Sequence, residues 1–379
     1  MIRRLLTLVL LAAAFGSVVL ALTAGQALAN HVQCGDVITQ DTTLDSDLLC
    51  SGTALTIVGP QVTLDLGGHL VQGDIRASNA VDGSRVTVQN GTVRGVVSVD
   101  EYDSSTISHL TATATTFFAD QQYVAVLDSV LGGNPSASGV VARAQNVEIA
   151  RNIVQGGRTG IAVIHADGSI HDNLLQDNAV QGFSADHSGH LTFANNVVRR
   201  NGRGIGVQQA ILTATGNRIV DNADFGAGTN QATLNLVDNY IARNGGDGVE
   251  SSFGGLHANR NSILDNAGSG ISVPNGFFEI TENSVQRNAA DGIRTGNNSH
   301  GSATDNTADR NRDDGIDIDA PATFGTITLT GNHTWWNGDF GIEAIPGDTQ
   351  GGGNWAKHNG NPLQCVPASL CTTKGKPKS

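Results

Sequence analysis

Five charged residues in the last third of the chain fall in step. Glu250, Arg294, Asp317 and Glu343 each stand two places after a glycine (Gly248, Gly292, Gly315 and Gly341), and Asp319 stands four places after Gly315. If these stretches are strands, alternation of side chains puts all five on one external face. Asp317 and Asp319 would then have Cα atoms about 6.5–7 Å apart, and Asp317 and Glu343, on neighbouring strands, about 5 Å apart. Such separations bracket the carboxyl pairs that break glycosidic bonds. Arg294 beside them is placed to hold a substrate or to stabilise developing negative charge. Asp317, Asp319, Arg294 and Glu343 are therefore the catalytic candidates, with Glu250 a binding candidate on the same stripe. Asp313 and Asp314, in the turn just ahead, are candidate ligands of the oxygen type that Ca2+ takes. The same residues also fit a plain turn at Asp313-Asp314-Gly315 followed by solvated acids with Arg294 as counter-ion. The sequence leaves the two readings open.

Two further groups are candidates for binding. His165 and His187 fall at equivalent places in successive repeats, with Asp186 beside them and His190 close by. Two imidazoles and a carboxylate suit proton transfer or metal ligation, although exposed turn histidines would show the same spacing. Trp335 and Trp336, two of only three tryptophans, lie one repeat beyond the acidic strand. They are read as an aromatic platform for a sugar ring or, equally, as apolar cover for the end of the fold.

All of these residues depend on a repeat of about 22 residues. A glycine followed by a small or apolar residue recurs at Gly139, Gly160, Gly182, Gly204, Gly226, Gly248, Gly270, Gly292, Gly315 and Gly341. Asparagines keep the same beat from Asn173 to Asn332, each with a second asparagine five residues later, from Asn178 to Asn337. A period of this length means a stacked solenoid in which each unit buries its apolar face against its neighbours. With 48 Gly, one Met and runs such as Val62-Thr63-Leu64-Asp65-Leu66, the units are strands and tight turns. The prediction is an all-β parallel β-helix of about thirteen turns. Stacked asparagines can hydrogen-bond along it as a ladder, and the repeated glycine is expected to supply a positive φ.

The ends read differently. Arg3 and Arg4 precede an apolar run from Leu5 to Leu22 and the small-x-small triplet Ala27-Leu28-Ala29, so residues 1–29 read as a secretory signal peptide and no membrane span follows. Residues 30–60 are expected to be an N-terminal cap, 61–345 the β-helix, and 346–379 a C-terminal cap with a basic tail. The chain carries 22 basic and 35 acidic residues, a net charge of −13, which disfavours nucleic acid. The same charge disfavours anionic glycans unless a divalent cation bridges them. Four cysteines in an exported protein suggest two disulfides, and proximity favours Cys34 with Cys50 and Cys365 with Cys371.

The repeats resemble the right-handed parallel β-helix of the pectate-lyase-like superfamily, which also occurs in NosD-like proteins. The opening Cys34-Gly35-Asp36, Leu48-Leu49-Cys50 and Val62-Thr63-Leu64-Asp65-Leu66-Gly67-Gly68-His69, and the ending Asn361-Pro362-Leu363-Gln364-Cys365, resemble a secreted bacterial subset of it. The resemblance implies the right hand of the helix and a polysaccharide-directed activity of lyase, hydrolase or epimerase type. It does not fix the reaction. The Asp-Pro-His-Asp of mannuronan epimerases and the Arg-x-Pro-x-x-Arg of pectate lyases are absent, and of the polygalacturonase set only Asp313-Asp314 is matched. The only methionine is Met1, so a methionine-rich copper site of a NosD-like role has no ligands here. The expected partner is an extracellular or cell-surface polysaccharide, with Ca2+ as the cofactor the acids would suit. The expected assembly is a monomer or weak oligomer. The alternative is a non-catalytic extracellular rod, an adhesin or scaffold.

Overall fold

One turn of the chain shows how the sequence becomes a three-sided solenoid. Strands Thr159–Ile164, Asp167–His171 and Leu174–Gln176 follow one another around the axis. Each pairs in parallel with its equivalent one turn later: Ile161 with Phe183, Ile170 with Phe193, Leu175 with Val198. Three parallel sheets result, here called first, second and third in the order in which the chain meets them. The computed structural model describes residues 31–113, 116–296, 298–319, 325–347 and 349–372. The expected signal peptide and the basic tail lie outside the described residues.

A single column of the second sheet counts the turns. It runs Thr42, Leu64, Val88, Ile107, Val126, Ile149, Ile170, Phe193, Ala214, Leu236, Ala258, Ile280, Ala303, Leu329, Gly351. That makes about 15 turns against the thirteen expected. The extra turns come from the ends: strands Asp36–Ile38, Thr42–Thr43 and Leu48–Ile57, and later Thr349–Gly352 and Trp355–Lys357, join the same ladders. Both disulfides, Cys34–Cys50 and Cys365–Cys371, are formed, one at each end of the stack.

The core is a continuous apolar filling. In the first sheet the residues one and three places after the repeated glycine point inward, as in Ile161/Val163, Ile205/Val207 and Ile316/Ile318, all buried. The second sheet contributes Phe193, Leu236 and Phe278, and the third Leu175, Ile241 and Val285. Each such side chain removed from water contributes about 1.5–3 kcal/mol. The corners are polar but equally closed. Asn152, Asn173, Asn196 and their successors to Asn354 form one buried ladder, and Asn178 to Asn359 a second. In each step one side-chain oxygen accepts two bonds from the preceding asparagine, from its backbone N–H and its amide nitrogen, as between Asn222 and Asn244 at 3.1 and 2.9 Å.

The repeated glycine has a different cause from the one the spacing suggested. Gly204 and Gly248 are not in the left-handed region. A Cβ on Gly204 would stand 2.0 Å from the carbonyl oxygen of Gly226, and one on Gly248 would stand 2.8 Å from the amide nitrogen of Asn266. Close approach of one turn to the next, and to the ladder, demands the missing side chain. The positive φ falls instead on the residue just before each ladder asparagine, such as Arg243 (φ 54°) and Asp265 (φ 57°). These corner residues pair across turns, Arg243 with Asp221 and Arg287 with Asp265, each at 2.7 Å.

Candidate functional site

The outward stripe of the first sheet is in register from end to end. Ala162, Ser184, Gly206, Gly228, Glu250, Ser272, Arg294, Asp317 and Glu343 are successive partners in its parallel ladder. The strand pairing therefore brings Arg294, Asp317 and Glu343 side by side, each one turn from the next. Asp319, just beyond the strand Ile316–Ile318, turns back to Arg294, whose Nε donates to its Oδ2 at 2.8 Å. Arg294 Nε also lies 4.0 Å from Asp317 Oδ2.

Asp317 departs from the exposed acid that alternation alone describes. Its side chain points outward from the core, yet the residue is only 8% exposed. A second row covers it. Asp291 and Asp314 occupy the place just before Gly292 and Gly315, and both are buried. Each closes a corner of the following turn: Asp291 Oδ1 accepts from the backbone N–H of Asp314 at 3.1 Å, and Asp314 Oδ1 from that of Phe340 at 2.6 Å. Carboxylate oxygens of Asp291, Asp314 and Asp317 lie within 4.8 Å of one another.

Burial of this kind holds protons on carboxyl groups. Asp317 is pushed up to about 8, first by loss of water and then by Asp319, with which it shares a hydrogen bond, and by Asp291 and Asp314. Asp314 is pushed up to about 7 by burial and by its acidic neighbours Asp313, Asp291 and Glu343. Burial also raises Asp291 and Asp247, while Glu250 is raised by burial and by Asp247 and Asp224. Arg294 is raised above its usual value by its bond to Asp319. Asp317 and Asp319 thus stand together at the Arg294 guanidinium, Asp319 within hydrogen-bonding distance of it and Asp317 at 4.0 Å.

The donor set also fits a hard cation. Three carboxylates whose oxygens lie within 4.8 Å match the span of a Ca2+ coordination shell, whose ligands stand about 2.3–2.6 Å from the ion. Asp313, exposed, joins Asp314 and Asp339 in a second group of the same tightness. Asp314 thus belongs to both.

The remaining candidates lie elsewhere. His165 and His187 sit at exposed corners between the first and second sheets, with φ of 54° and 46° and rings 5.6 Å apart, and His187 Nδ1 is 2.8 Å from Asp186. Trp335 belongs to the third sheet, on a strand that pairs through His333 with Thr307 and Trp355, away from the strand of Asp317. It packs edge-on against Trp355 at 4.5 Å. Trp336 is 52% exposed at the following corner and stacks on His358. Asp291 and Asp247 were not singled out by the sequence. Their row also holds Asp314, but with Gln181, Arg203, Phe225, Ser269 and Phe340 among its other members no unbroken acidic periodicity marks it. The signal available was the residue before each repeated glycine.

Fold and face together define a parallel β-helix with an acid-lined outer sheet. A profile described as the right handed beta helix region matches residues 75–233 and 138–281, more than half of the chain. The chain belongs to this right-handed β-helix family. Among solved structures, the periplasmic alginate epimerase AlgG is similar at 15% identity, with 78% of this chain and 76% of that chain covered and a TM-score of 0.47. The A-module of an Azotobacter vinelandii mannuronan C-5 epimerase is similar at 13% identity, with coverage of 86% and 91% and a TM-score of 0.39. DFA-IIIase from Arthrobacter chlorophenolicus A6, without its lid, is similar at 12% identity, with coverage of 84% and 88% and a TM-score of 0.29. No curated protein matches the chain in sequence.

Proposed function

We propose that the protein is exported and that it binds and chemically processes an extracellular or cell-surface polysaccharide along its first sheet. The observation that carries this reading is the Asp317–Asp319 pair beside Arg294: a buried acid held up to about 8, next to a carboxylate that the Arg294 guanidinium fixes. A group with a pKa near the working pH both gives and takes a proton efficiently. Asp317 is the proton donor and acceptor, Arg294 orients Asp319 and attracts developing negative charge on the substrate, and Glu343 lines the face one turn on. Asp313, Asp314 and Asp339 would hold Ca2+, leaving Asp317 to exchange its proton, and the ion would supply positive charge where an acidic sugar would otherwise be repelled. Export is supported by the pattern of residues 1–29 and by two disulfides, which persist in oxidising compartments.

Proton NMR over time on the mature protein, with neutral and acidic polysaccharides and calcium present, tests the proposal. Unsaturated ends identify elimination, new reducing ends hydrolysis, and altered anomeric couplings without cleavage epimerisation. Asp317→Asn is expected to lower any such rate at least a hundredfold, the scale of losing one general acid–base group. A panel left unchanged by the wild-type protein would sink the enzymatic reading and leave the non-catalytic rod.

A further inference from the structure

The outward stripe of the first sheet is interrupted where it has no side chains. Gly206 and Gly228 are partners on consecutive turns, with Ser184 before them and Glu250 after them. Over them lies a cleft of about 370 Å³. One wall is aromatic and rigid. The Arg203 guanidinium lies 5.2 Å from the Phe225 ring centroid, and its Nε is 3.0 Å from the Asp224 carboxylate. The Phe225 ring is pressed so close to Gly228 that a Cβ there would stand 2.6 Å from it. The opposite wall carries the amides of Gln208 and Asn230, which are also turn-to-turn partners. Gln181 closes over Gly206, its side-chain oxygen 2.9 Å from where a Cβ would be.

Three of the amides lining the cleft converge on it with their hydrogen-bonding groups uncommitted. Some outward amides instead pair between turns, as Gln176 does with Gln155 at 2.7 Å and Asn235 with Thr213 at 3.2 Å. The side chains of Gln181, Gln208 and Asn230 make no hydrogen bond to any other described residue, and they face one cleft. A carboxamide offers two donors and an acceptor at fixed angles, which matches hydroxyls that both give and accept. The flat edge of Phe225 adds an apolar contact for ring C–H groups. Charge narrows the class. Arg203 is committed to Asp224, and Glu250 at the end of the cleft repels a carboxylated sugar.

We infer that the cleft over Gly206 and Gly228 is a binding subsite for a neutral, hydroxyl-rich sugar residue. The inference rests on the proposal that a polysaccharide lies along the first sheet. The cleft is four turns from Asp317, about 19 Å at the usual strand spacing, so one glycan chain spans both. The polymer is then one that presents an uncharged residue at the cleft while another of its residues meets the acids.

Calorimetric titration tests this with defined hexasaccharides: neutral cello- and manno-oligomers, an oligouronate with calcium, and a glucosamine oligomer. The neutral probes are expected to bind, and Gln208→Ala/Asn230→Ala is expected to weaken them at least tenfold with the melting temperature unchanged. A bulkier floor, Gly228→Val, provides a second block. Neutral binding that survives both variants overturns the subsite while leaving the polysaccharide reading in place. Binding of the charged oligomers alone overturns the neutral assignment. Failure of every glycan to bind removes the polysaccharide reading itself.

Discussion

The Asp317 carboxyl, almost without water and packed among three other acids, can lose its charge in only two ways. It keeps a proton or it gains a cation. The folded protein holds the Asp317 and Asp314 protons up to about 8 and about 7, whereas an unfolded Asp releases its proton at about 3.9. Between those limits the native state binds more protons, so stability is greatest at acid pH and falls as pH rises through the window to about 8. The melting temperature is therefore expected to drop from pH 5 to pH 9 in the absence of calcium. Asp317→Asn should flatten that slope and melt higher than the wild type at pH 9, by about 2 °C or more for each kcal/mol of relieved charge. Calcium should raise the wild-type melting temperature at pH 9 and have little effect at pH 5, where protons already occupy its place. At a hundredfold excess over the dissociation constant the gain would be about 2.7 kcal/mol. A wild-type melting curve that ignores both pH and calcium across this range would mean that the three acids are already neutralised by other means.

At the scale of the element, a turn is held more by its corners than by its surface charges. Asn244 Oδ1 accepts from the N–H and the amide of Asn222, while its own amide donates to Asn266 at 3.0 Å and to the Ile219 carbonyl at 3.4 Å. Asn244→Ala would leave buried donors on Asn222 without acceptors, at about 1–3 kcal/mol for each orphaned group. Arg243→Ala, one residue earlier, removes only an exposed ion pair with Asp221 and should cost less than about 1 kcal/mol. Urea midpoints of the two variants, measured side by side, are expected to separate clearly, and equal midpoints would deny the ladder its weight. Sequence made these elements legible because an asparagine and a glycine at every 22nd place have few other uses. It concealed the reason for the glycine, since a Cβ clash such as that between Gly204 and the Gly226 carbonyl belongs to the neighbouring turn and to no local motif. It concealed the wall around Asp317 for the same reason. Alternation correctly turned that side chain outward, but Asp291 comes from the preceding turn and so leaves no local mark beside Asp317.

Over the whole molecule the two halves of the stack are built differently. From Asn152 to Asn354 every corner between the second and third sheets carries a buried ladder residue. Before it, the corners after Asn90, His109 and Asp128 hold Gly91, Leu110 and Ser129, which offer at most a hydroxyl: Ser129 Oγ accepts from the Leu110 N–H at 3.1 Å. A solenoid's stability is close to a sum of nearest-neighbour terms, so turns without amide ladders should open first. The Cys34–Cys50 bond, 16 residues apart, lies at that weaker end and restricts its unfolded state by about 3 kcal/mol, as expected for a loop of this length. Hydrogen exchange is expected to be slowest in residues 196–311 and faster in residues 42–112. Adding a reductant should speed exchange in the first turns well before it reaches the ladders. The central turns, including those under Glu250, Arg294 and Asp317, should stay protected, because each is buttressed by ladder asparagines on both sides. Loss of protection in all turns together on reduction would mean instead that the rod unfolds as one cooperative unit, with the amide ladders adding no local strength.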